Sequence, residues 1–311
     1  MNAMILAAGL GTRLLPHTLK RPKPLFPVLE RDLLRIAVET VLKLNPHKIV
    51  INAHHLAPMI EERVAKMDYG VEIIVSRETE ILGTAGGIKN AQRWLDSDNF
   101  AVLNSDVIME PDWANLMAAH EKSGAVATLA LRKNPDPVKY GPLAVNGQGL
   151  ITRYLSATGP GHDGSAGLLM FTGCSILSPS IFQGIPAGRA VDISKEVYMP
   201  MTMMGEGLYG VAMETPWTDV GTAQDYHKTV MGLLDRRESS RDAGINMEPG
   251  ARIIPPVYLE PGAQIGANAI IGPSAAIHAG AVIGDGAQVK NSVVLPGSSL
   301  PSGAVADGVI V

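Results

Sequence analysis

Short apolar runs alternate with longer segments of helical periodicity over the first third of the chain. Residues 4–8 contain no polar side chain, which indicates a strand buried on both faces. Further apolar runs follow at 49–51 and 100–103 and a run interrupted only by Glu72 at 71–75, and segments with apolar residues at helical spacing separate them. This alternation predicts an α/β fold in which helices cover a mostly parallel sheet. Ligands of such sheets bind outside the carboxyl ends of the strands.

A second pattern occupies the C-terminal part of the chain, where aliphatic residues recur every six positions. Eight positions follow one another without a break, and a small or aliphatic residue lies two places before each. They are Ile253, Leu259, Ile265, Ile271, Ile277, Ile283, Val289 and Leu295. This period predicts a left-handed parallel β-helix of just under three coils, over residues 245–311. A charged run at 235–242 predicts a solvated linker between this domain and an α/β domain over residues 1–240.

The composition limits the function classes. The chain has 311 residues, enough for two domains, and 46% of them are hydrophobic. A net charge of -4 gives no argument for binding nucleic acid or a membrane surface. The single cysteine, Cys174, excludes an internal disulfide and predicts a packed apolar side chain. No signal peptide and no apolar run of membrane-spanning length is found, so we expect a cytoplasmic protein.

Candidate chemistry begins directly after the first predicted strand. Gly9 and Gly11 let the backbone turn and approach a ligand closely, and Thr12 and Arg13 follow on the same loop. Ten residues later, prolines stiffen the segment that carries Lys23. A glycine loop, an arginine and a rigidly mounted lysine together predict a binding site for a polyphosphate.

Two common phosphate loops do not fit this segment. A dinucleotide fingerprint requires a third glycine where the chain has Leu14, and the Gly-Lys-Ser/Thr of a P-loop is absent. The segment 9–28 instead resembles the signature of the sugar-1-phosphate nucleotidyltransferases: Gly-x-Gly-Thr-Arg-Leu, Pro-x-Thr and Pro-Lys-Pro-Leu-x-Pro-Val. The resemblance implies a Rossmann-like, GT-A-like mixed sheet in the catalytic domain. It also implies transfer of a nucleotidyl group from an NTP to a sugar 1-phosphate, with release of pyrophosphate.

A second glycine-rich segment, Leu-Gly-Thr-Ala-Gly at 82–86, precedes a helix that we expect from about Ile88 to Leu95. It resembles the base-recognition segment of the mannose-1-phosphate guanylyltransferases, which implies GTP as the nucleotide. The nucleotide-binding residues that the resemblance implies are Leu6, Ala8, Gly9, Gly11, Thr12, Arg13, Lys23, Gly83, Thr84 and Gly86.

Two aspartates are the candidate metal ligands. Asp106 follows the apolar run at 100–103, and Asp219 lies in a short polar turn before a helix. A carboxylate at the end of a buried strand is a poor core residue and a good Mg²⁺ ligand. The resemblance implies that both aspartates bind Mg²⁺, with Arg13 neutralising the leaving pyrophosphate and Lys23 the reacting phosphates, so that these four residues are catalytic. A helix cap is the alternative for this turn, with Thr222 as its candidate.

The segments expected to bind the sugar 1-phosphate resemble the family at some positions and depart from it at others. Tyr140-Gly141 and Thr172-Gly173 stand where relatives contact the sugar, and with Asp106 they form the implied sugar-binding set. Most relatives then carry a Glu-Lys-Pro whose lysine holds the sugar phosphate, but this chain has no lysine between residues 139 and 195. A similar absence is a feature of the N-acetylmuramate-1-phosphate uridylyltransferases, so the sugar stays open.

Four functions remain to be compared. GTP with mannose 1-phosphate leads, and uridylyl or thymidylyl transfer to another sugar or amino-sugar 1-phosphate is the alternative. A hexapeptide-repeat acyltransferase would use His278, the single histidine of the repeats, as its base. A non-catalytic nucleotide-sugar-binding subunit is the last candidate. We also expect a homo-oligomer that assembles through or near the β-helix, because a short stack has two open ends.

Overall fold

A computed structural model describes residues 1–164, 167–236, 240–241 and 245–311 of the protein. These residues form two compact units, and each contains more than one segment of the chain. The first unit contains Met1–Gly11, Lys20–Pro24 and Leu34–Thr218, and the second contains Thr12–Leu19, Leu25–Leu33 and Asp219–Val311. The predicted linker at 235–242 lies partly outside the described residues. The predicted boundary at 240–245 therefore stays a prediction.

A ten-stranded mixed sheet forms the centre of the first unit. Its strands are β1 (Asn2–Leu6), β2 (Lys48–Ala53), β3 (Glu72–Arg77), β4 (Phe100–Asn104), β5 (Ala127–Lys133), β6 (Leu143–Val145), β7 (Ile151–Tyr154), β8 (Ala157–Thr158), β9 (Leu169–Leu177) and β10 (Leu208–Ala212). The strand order is β8-β7-β6-β9-β4-β1-β2-β3, with β5 paired to β9 and β10 paired to β5.

Four neighbouring strands of this sheet, β3, β2, β1 and β4, run parallel and come from the four strand-like runs of the sequence, and β10 runs parallel to β5. Ala3, Met4 and Ile5 of β1 are completely buried, as the absence of polar residues predicts. Strand β9 runs antiparallel to both β4 and β5. The predicted α/β architecture is confirmed, with antiparallel strands added beyond β4.

Eight α-helices accompany the strands in the described chain. They are α1 (Leu33–Leu42), α2 (Ala57–Ala65), α3 (Gly83–Asn90), α4 (Gln92–Leu95), α5 (Trp113–Ser123), α6 (Pro137–Tyr140), α7 (Met199–Met204) and α8 (Ala223–Leu234). The helix expected from about Ile88 instead begins at Gly83, so the glycine-rich segment forms its first turns. None of the described helices is long and apolar enough to cross a bilayer.

Three parallel stacks of short strands form the β-helix of the second unit, and each stack has four strands. The first stack consists of Ser240–Arg241, Val257–Leu259, Ala275–Ile277 and Ser292–Val294. The second consists of Asn246–Met247, Gln264–Ile265, Val282–Ile283 and Ser299–Leu300. The third consists of Arg252–Ile253, Ile270–Ile271, Gln288–Lys290 and Val305–Asp307. The repeat domain is therefore a parallel β-helix, as predicted. It is longer than expected, because strands outside the aliphatic pattern extend it at both ends.

The six-residue phase was predicted incorrectly at its last position. Ile277 pairs with Val294, so Val294 occupies the inward position that the period assigns to Leu295. The chain turns at Asn291, whose φ of 44° lies in the left-handed region that asparagine tolerates. This tight turn removes one residue from the coil, and a sequence period cannot show such a deletion.

Helix α8 belongs to the same unit as the β-helix and contacts it. His227 Nε2 donates a hydrogen bond of 2.6 Å to the Asn291 carbonyl. At the start of α8, the Thr222 hydroxyl accepts a hydrogen bond of 3.1 Å from the Asp225 amide, so Thr222 is the helix cap that the sequence suggests.

Candidate active site

The loops after the parallel strands begin at one level of the first unit. Leu6, at the end of β1, is in register with Asn52 of β2 and with Asn104 of β4. The Ser105 amide donates a hydrogen bond of 3.1 Å to the Leu6 carbonyl, which ties the loop after β4 to the end of β1. The glycine loop and the segment that carries Asp106 therefore start side by side, at the carboxyl edge where ligands of such sheets bind.

Lys23 and Asp106 form an ion pair within the first unit. The Lys23 ammonium donates a hydrogen bond of 2.5 Å to Oδ2 of Asp106, across 83 residues of sequence. The Lys23 side chain is only 10% exposed, whereas the Asp106 side chain is 27% exposed. The lysine is thus held in one position at the edge of the sheet, and the carboxylate keeps surface on which a further cation or a ligand can bind.

Arg13 and Asp219 lie close together in the second unit, around Gly221. A Cβ atom at Gly221 would lie 2.9 Å from Oδ2 of Asp219 and 3.2 Å from a guanidinium nitrogen of Arg13. Glycine at position 221 therefore leaves room for the Arg13 guanidinium and the Asp219 carboxylate, which a larger side chain would displace. Thr12 and Arg13 are exposed, and the predicted phosphate loop presents them to solvent.

The predicted base-recognition segment is held against residues 189–193 by its own polar groups. The amides of Ala85 and Gly86 donate hydrogen bonds of 2.9 and 3.3 Å to the Val191 carbonyl, and the Thr84 hydroxyl accepts one of 2.9 Å from the Ile193 amide. A Cβ atom at Gly83 would lie 2.7 Å from the Val191 carbonyl oxygen. The glycines thus permit close packing of two segments, and the roles of Gly83, Thr84 and Gly86 in nucleotide binding stay predictions.

A buried polar pair that we did not predict from the sequence lies behind the glycine loop. Asn52 and Glu78 are only 2% and 3% exposed, and Nδ2 of Asn52 donates a hydrogen bond of 2.7 Å to Oε1 of Glu78. Oδ1 of Asn52 accepts a hydrogen bond of 2.7 Å from the Ala7 amide, and Oε2 of Glu78 accepts one of 2.9 Å from the Leu82 amide. A Cβ atom at Gly87 would lie 2.6 Å from Asn52 Nδ2 and 2.7 Å from Glu78 Oε1.

We expect Gly87→Ala to lower the free energy of unfolding by about 1 to 3 kcal/mol, because the new methyl group would overlap two buried polar atoms. Thermal and urea denaturation measure the change. Gly232→Ala is the matched control, since Gly232 also lies within a helix but has no atom within 4 Å of a Cβ built there. Alanine at that position is expected to be neutral or stabilising. Equal stability of the two variants would contradict the close packing at Gly87.

Two of the predicted sugar-binding residues, Tyr140 and Thr172, contact Trp217 in the first unit. Trp217 Nε1 donates a hydrogen bond of 2.9 Å to the Thr172 carbonyl, and its ring meets Tyr140 edge to face at 5.4 Å. The register between β9 and β5 shifts between Phe171 and Ser175, and Gly173 within this bulge has a φ of 86°. Gly141 also has a positive φ, of 73°, directly after Tyr140. Tyr140 and Thr172 thus meet at one tryptophan, which the sequence analysis did not select.

Arg132 is a second residue of this cluster that the sequence did not reveal. Its guanidinium lies 5.2 Å from the Trp217 ring centroid, and Nη1 donates a long hydrogen bond of 3.4 Å to the Trp217 carbonyl. Its Nε is buried without a hydrogen-bond partner in the described part of the chain. A positive charge therefore lies beside the residues that we predict to contact the sugar.

Taken individually, the Asp106 and Asp219 side chains suit a hard divalent cation, since each supplies carboxylate oxygens and is only partly buried. Among the described residues, no group of three or more histidine, cysteine, aspartate or glutamate side chains could hold a metal by itself. Mg²⁺ is commonly bound by one or two carboxylates together with substrate phosphates, which agrees with this sparse set.

Two other residues with possible chemistry are buried. Burial raises the pKa of the Cys174 thiol, so this side chain remains neutral and is a core residue, as expected. His278 is completely buried in the β-helix, where Nδ1 lies 3.0 Å from Oε2 of Glu260. A general base has to reach its substrate, and this histidine has no exposed surface.

Comparisons with known proteins agree with this architecture. The sequence model described as "Nucleotidyl transferase" matches residues 2–236, and that described as "GMPPB C-terminal domain" matches residues 253–311. The fold is also similar to the crystal structure of HddC from Yersinia pseudotuberculosis. That comparison has a TM-score of 0.61 at 22% identity and covers 75% of this chain and 99% of the other.

Two curated relatives carry different substrate names. A UTP–glucose-1-phosphate uridylyltransferase from Synechocystis is 30% identical over 265 residues, which cover 80% of this chain and 68% of the relative. A mannose-1-phosphate guanyltransferase from Yarrowia lipolytica is 36% identical over 231 residues, which cover 73% of this chain and 62% of the relative. The chain thus spans 62% to 68% of the length of these relatives. On the match over residues 2–236, the chain belongs to the nucleotidyl transferase family of enzymes.

Proposed function

We propose that the protein transfers a nucleotidyl group from an NTP to a sugar 1-phosphate and releases pyrophosphate. The observation that carries this proposal is the Lys23–Asp106 ion pair at the carboxyl edge of the parallel strands. It supports a site where a fixed cation and an accessible carboxylate meet phosphate groups. The family match and the relatives named above support the same reaction class.

The reaction needs charge neutralisation and alignment more than it needs a base. The nucleophile is an oxygen of the sugar phosphate, which is already an anion, and it attacks the α-phosphorus of the NTP. The bond from that phosphorus to the bridging oxygen breaks, and the electron pair leaves with pyrophosphate. Lys23 would neutralise the reacting phosphates and Arg13 the leaving pyrophosphate. The exposed position of Arg13 supports this role.

Members of this family use a divalent metal, and we assign Mg²⁺ here. Asp106 and Asp219 would hold it through carboxylate oxygens. When bound, the ion supplies positive charge to the phosphate oxygens as a Lewis acid. Lys23 keeps the Asp106 carboxylate in place from the protein side, so the carboxylate does not have to be ordered when the ion binds.

For the substrates we favour GTP and mannose 1-phosphate. The Leu-Gly-Thr-Ala-Gly segment, the relative named guanyltransferase and the GMPPB C-terminal domain support this choice. The second candidate is UTP with glucose 1-phosphate, because the Synechocystis relative carries that name and the match to it covers more of both chains. An acyltransferase is not favoured, because His278 is completely buried.

Product formation across four NTPs and a panel of mannose, glucose, galactose and N-acetylglucosamine 1-phosphates tests the proposal. Pyrophosphate release and chromatography of the NDP-sugar give kcat/KM for each pair. We expect the highest value for GTP with mannose 1-phosphate. A clear preference for another pair of NTP and sugar 1-phosphate would overturn the substrate assignment but would still support nucleotidyl transfer. The absence of an NDP-sugar for every pair, with Mg²⁺ present, would overturn the class itself.

We further propose that the chain forms a homo-oligomer through or near the β-helix, to be measured by light scattering of the intact protein. The exposure of Val305 and Val309, which both belong to the last coil of the β-helix, supports an interface at this end of the stack. Neither a nucleic-acid partner nor a membrane partner is proposed, and the cytoplasmic location stays a prediction.

A further inference from the structure

One buried hydrogen-bonded chain joins the two segments that we expect to contact the nucleotide. It runs from the Ala7 amide through Asn52 and Glu78 to the Leu82 amide. Ala7 lies two residues before Gly9 of the glycine loop, and Leu82 directly precedes the first turn of α3. The bonds join residues that lie 45, 26 and 4 positions apart in sequence.

The polarity of this chain of bonds is fixed at both ends. The Ala7 amide can only donate, so the atom of Asn52 that faces it is the carbonyl Oδ1, and Nδ2 must then face Glu78. The Leu82 amide also can only donate, so Glu78 accepts at both of its oxygens. The Glu78 carboxylate accepts from both donors, Asn52 Nδ2 and the Leu82 amide. A glutamine at this position would, in either orientation of its amide, point its own NH₂ group at one of these two donors.

The space around the pair leaves little room for rearrangement. Both side chains are almost completely buried, and a Cβ atom built at Gly87 would lie within 2.7 Å of both Asn52 Nδ2 and Glu78 Oε1. A buried polar group without its partner is costly, so the two side chains act as a rigid connection. The connection sets the separation between the start of the glycine loop and the start of α3.

We infer that Asn52 and Glu78 are positioning residues that set the distance between the triphosphate-binding loop and the base-recognition segment, and thereby the choice of nucleobase. The inference rests on the proposed function of these two segments. An NTP that spans both segments binds well only when their separation matches the distance from its phosphates to its base. Purine and pyrimidine bases differ in size, so a change in this separation alters their relative binding.

Exchange of the two functional groups tests the inference. Asn52→Asp places two carboxylates against each other, and Glu78→Gln places two donors against each other. The double variant, Asn52→Asp with Glu78→Gln, reverses the direction of the central hydrogen bond, because the side chain at position 78 then donates to the one at position 52. The Ala7 and Leu82 amides keep an acceptor oxygen, and the net charge of the protein is unchanged. The measurements are kcat/KM for GTP and UTP, KM for the sugar 1-phosphate, the dissociation constant of each NTP by calorimetry, and Tm.

We expect each single variant to lower kcat/KM for the preferred NTP at least tenfold and to reduce the GTP-to-UTP ratio at least threefold. The KM of the sugar 1-phosphate should change less than twofold. The double variant should recover the ratio to within twofold of the original protein. If the single variants do not fold, the double variant is compared directly with the original protein. A GTP-to-UTP ratio of kcat/KM that is more than twofold below that of the original protein then overturns the inference.

Other outcomes are also decisive. Single variants that lower Tm but leave the nucleotide ratio unchanged would show a purely structural pair. A double variant no better than the worse single variant would show that the bond polarity does not matter. If the original protein binds NTPs but forms no NDP-sugar, the proposed function fails, and the ratio of the two dissociation constants still decides this inference.

Discussion

Lys23→Ala is expected to lower kcat by about 10²- to 10³-fold in a protein that remains folded. The Lys23 ammonium is buried, and Asp106 holds it at 2.5 Å. Its removal takes away a preorganised positive charge that water cannot replace equally well. The variant also leaves the Asp106 carboxylate without this hydrogen bond, so the free energy of unfolding should fall by about 1 to 2 kcal/mol. Steady-state kinetics and urea denaturation measure both effects.

Lys20→Ala is the control for this prediction. Lys20 lies three positions earlier in the same segment of the first unit, and its side chain is exposed. We expect both its kcat and its stability to remain within experimental error of the original protein. If Lys23→Ala lost only stability and kept its turnover, the ion pair with Asp106 would be structural and the catalytic role of Lys23 would be wrong.

Asp106→Asn is expected to reduce turnover by about 10²-fold or more and to raise the Mg²⁺ concentration needed for half-maximal rate. Asparagine keeps an oxygen that can accept the hydrogen bond from Lys23, so the fold should be retained. It loses the negative charge, and a neutral amide oxygen is a weaker ligand for a hard divalent cation. Rates over a series of Mg²⁺ concentrations separate a loss of metal affinity from a loss of kcat.

The matched control is Asp98→Asn, because Asp98 is another aspartate of the first unit and its side chain is 67% exposed. It should leave the Mg²⁺ dependence unchanged. Identical Mg²⁺ curves for Asp106→Asn and the original protein would contradict the assignment of Asp106 as a metal ligand, whatever the change in maximal rate.

Patterns that depend on neighbouring residues could be read from the sequence. The four apolar runs became the parallel strands, and Thr222 became a helix cap, because burial and capping are decided within a few residues. The segment with Lys23 and the loop with Asp106 were both selected, although their ion pair spans 83 positions. The sequence could name both residues but not their contact.

Long-range polar packing explains most of what was missed. Asn52 directly follows the strand predicted at 49–51 and Glu78 lies three residues after the strand predicted at 71–75, and nothing in their local sequence distinguishes a buried pair from two surface residues. Trp217 and Arg132 meet only because β5 and the segment after β10 approach each other in the fold. The start of α3 at Gly83 was missed for a similar reason, since Val191, which stabilises its first turn, lies more than a hundred residues away.

Helix α8 has a consequence for how this chain can be recombined with its relatives. Tyr226 donates a hydrogen bond of 2.6 Å to the Pro27 carbonyl and packs edge to face on Phe26, while the next residue, His227, binds Asn291 of the β-helix. A chimera joined before α8 keeps the helix with its β-helix and exchanges the partners of Tyr226. A chimera joined after α8 does the reverse, so only a hybrid that carries the segment around Phe26, α8 and the β-helix from one parent keeps both sets of contacts unchanged.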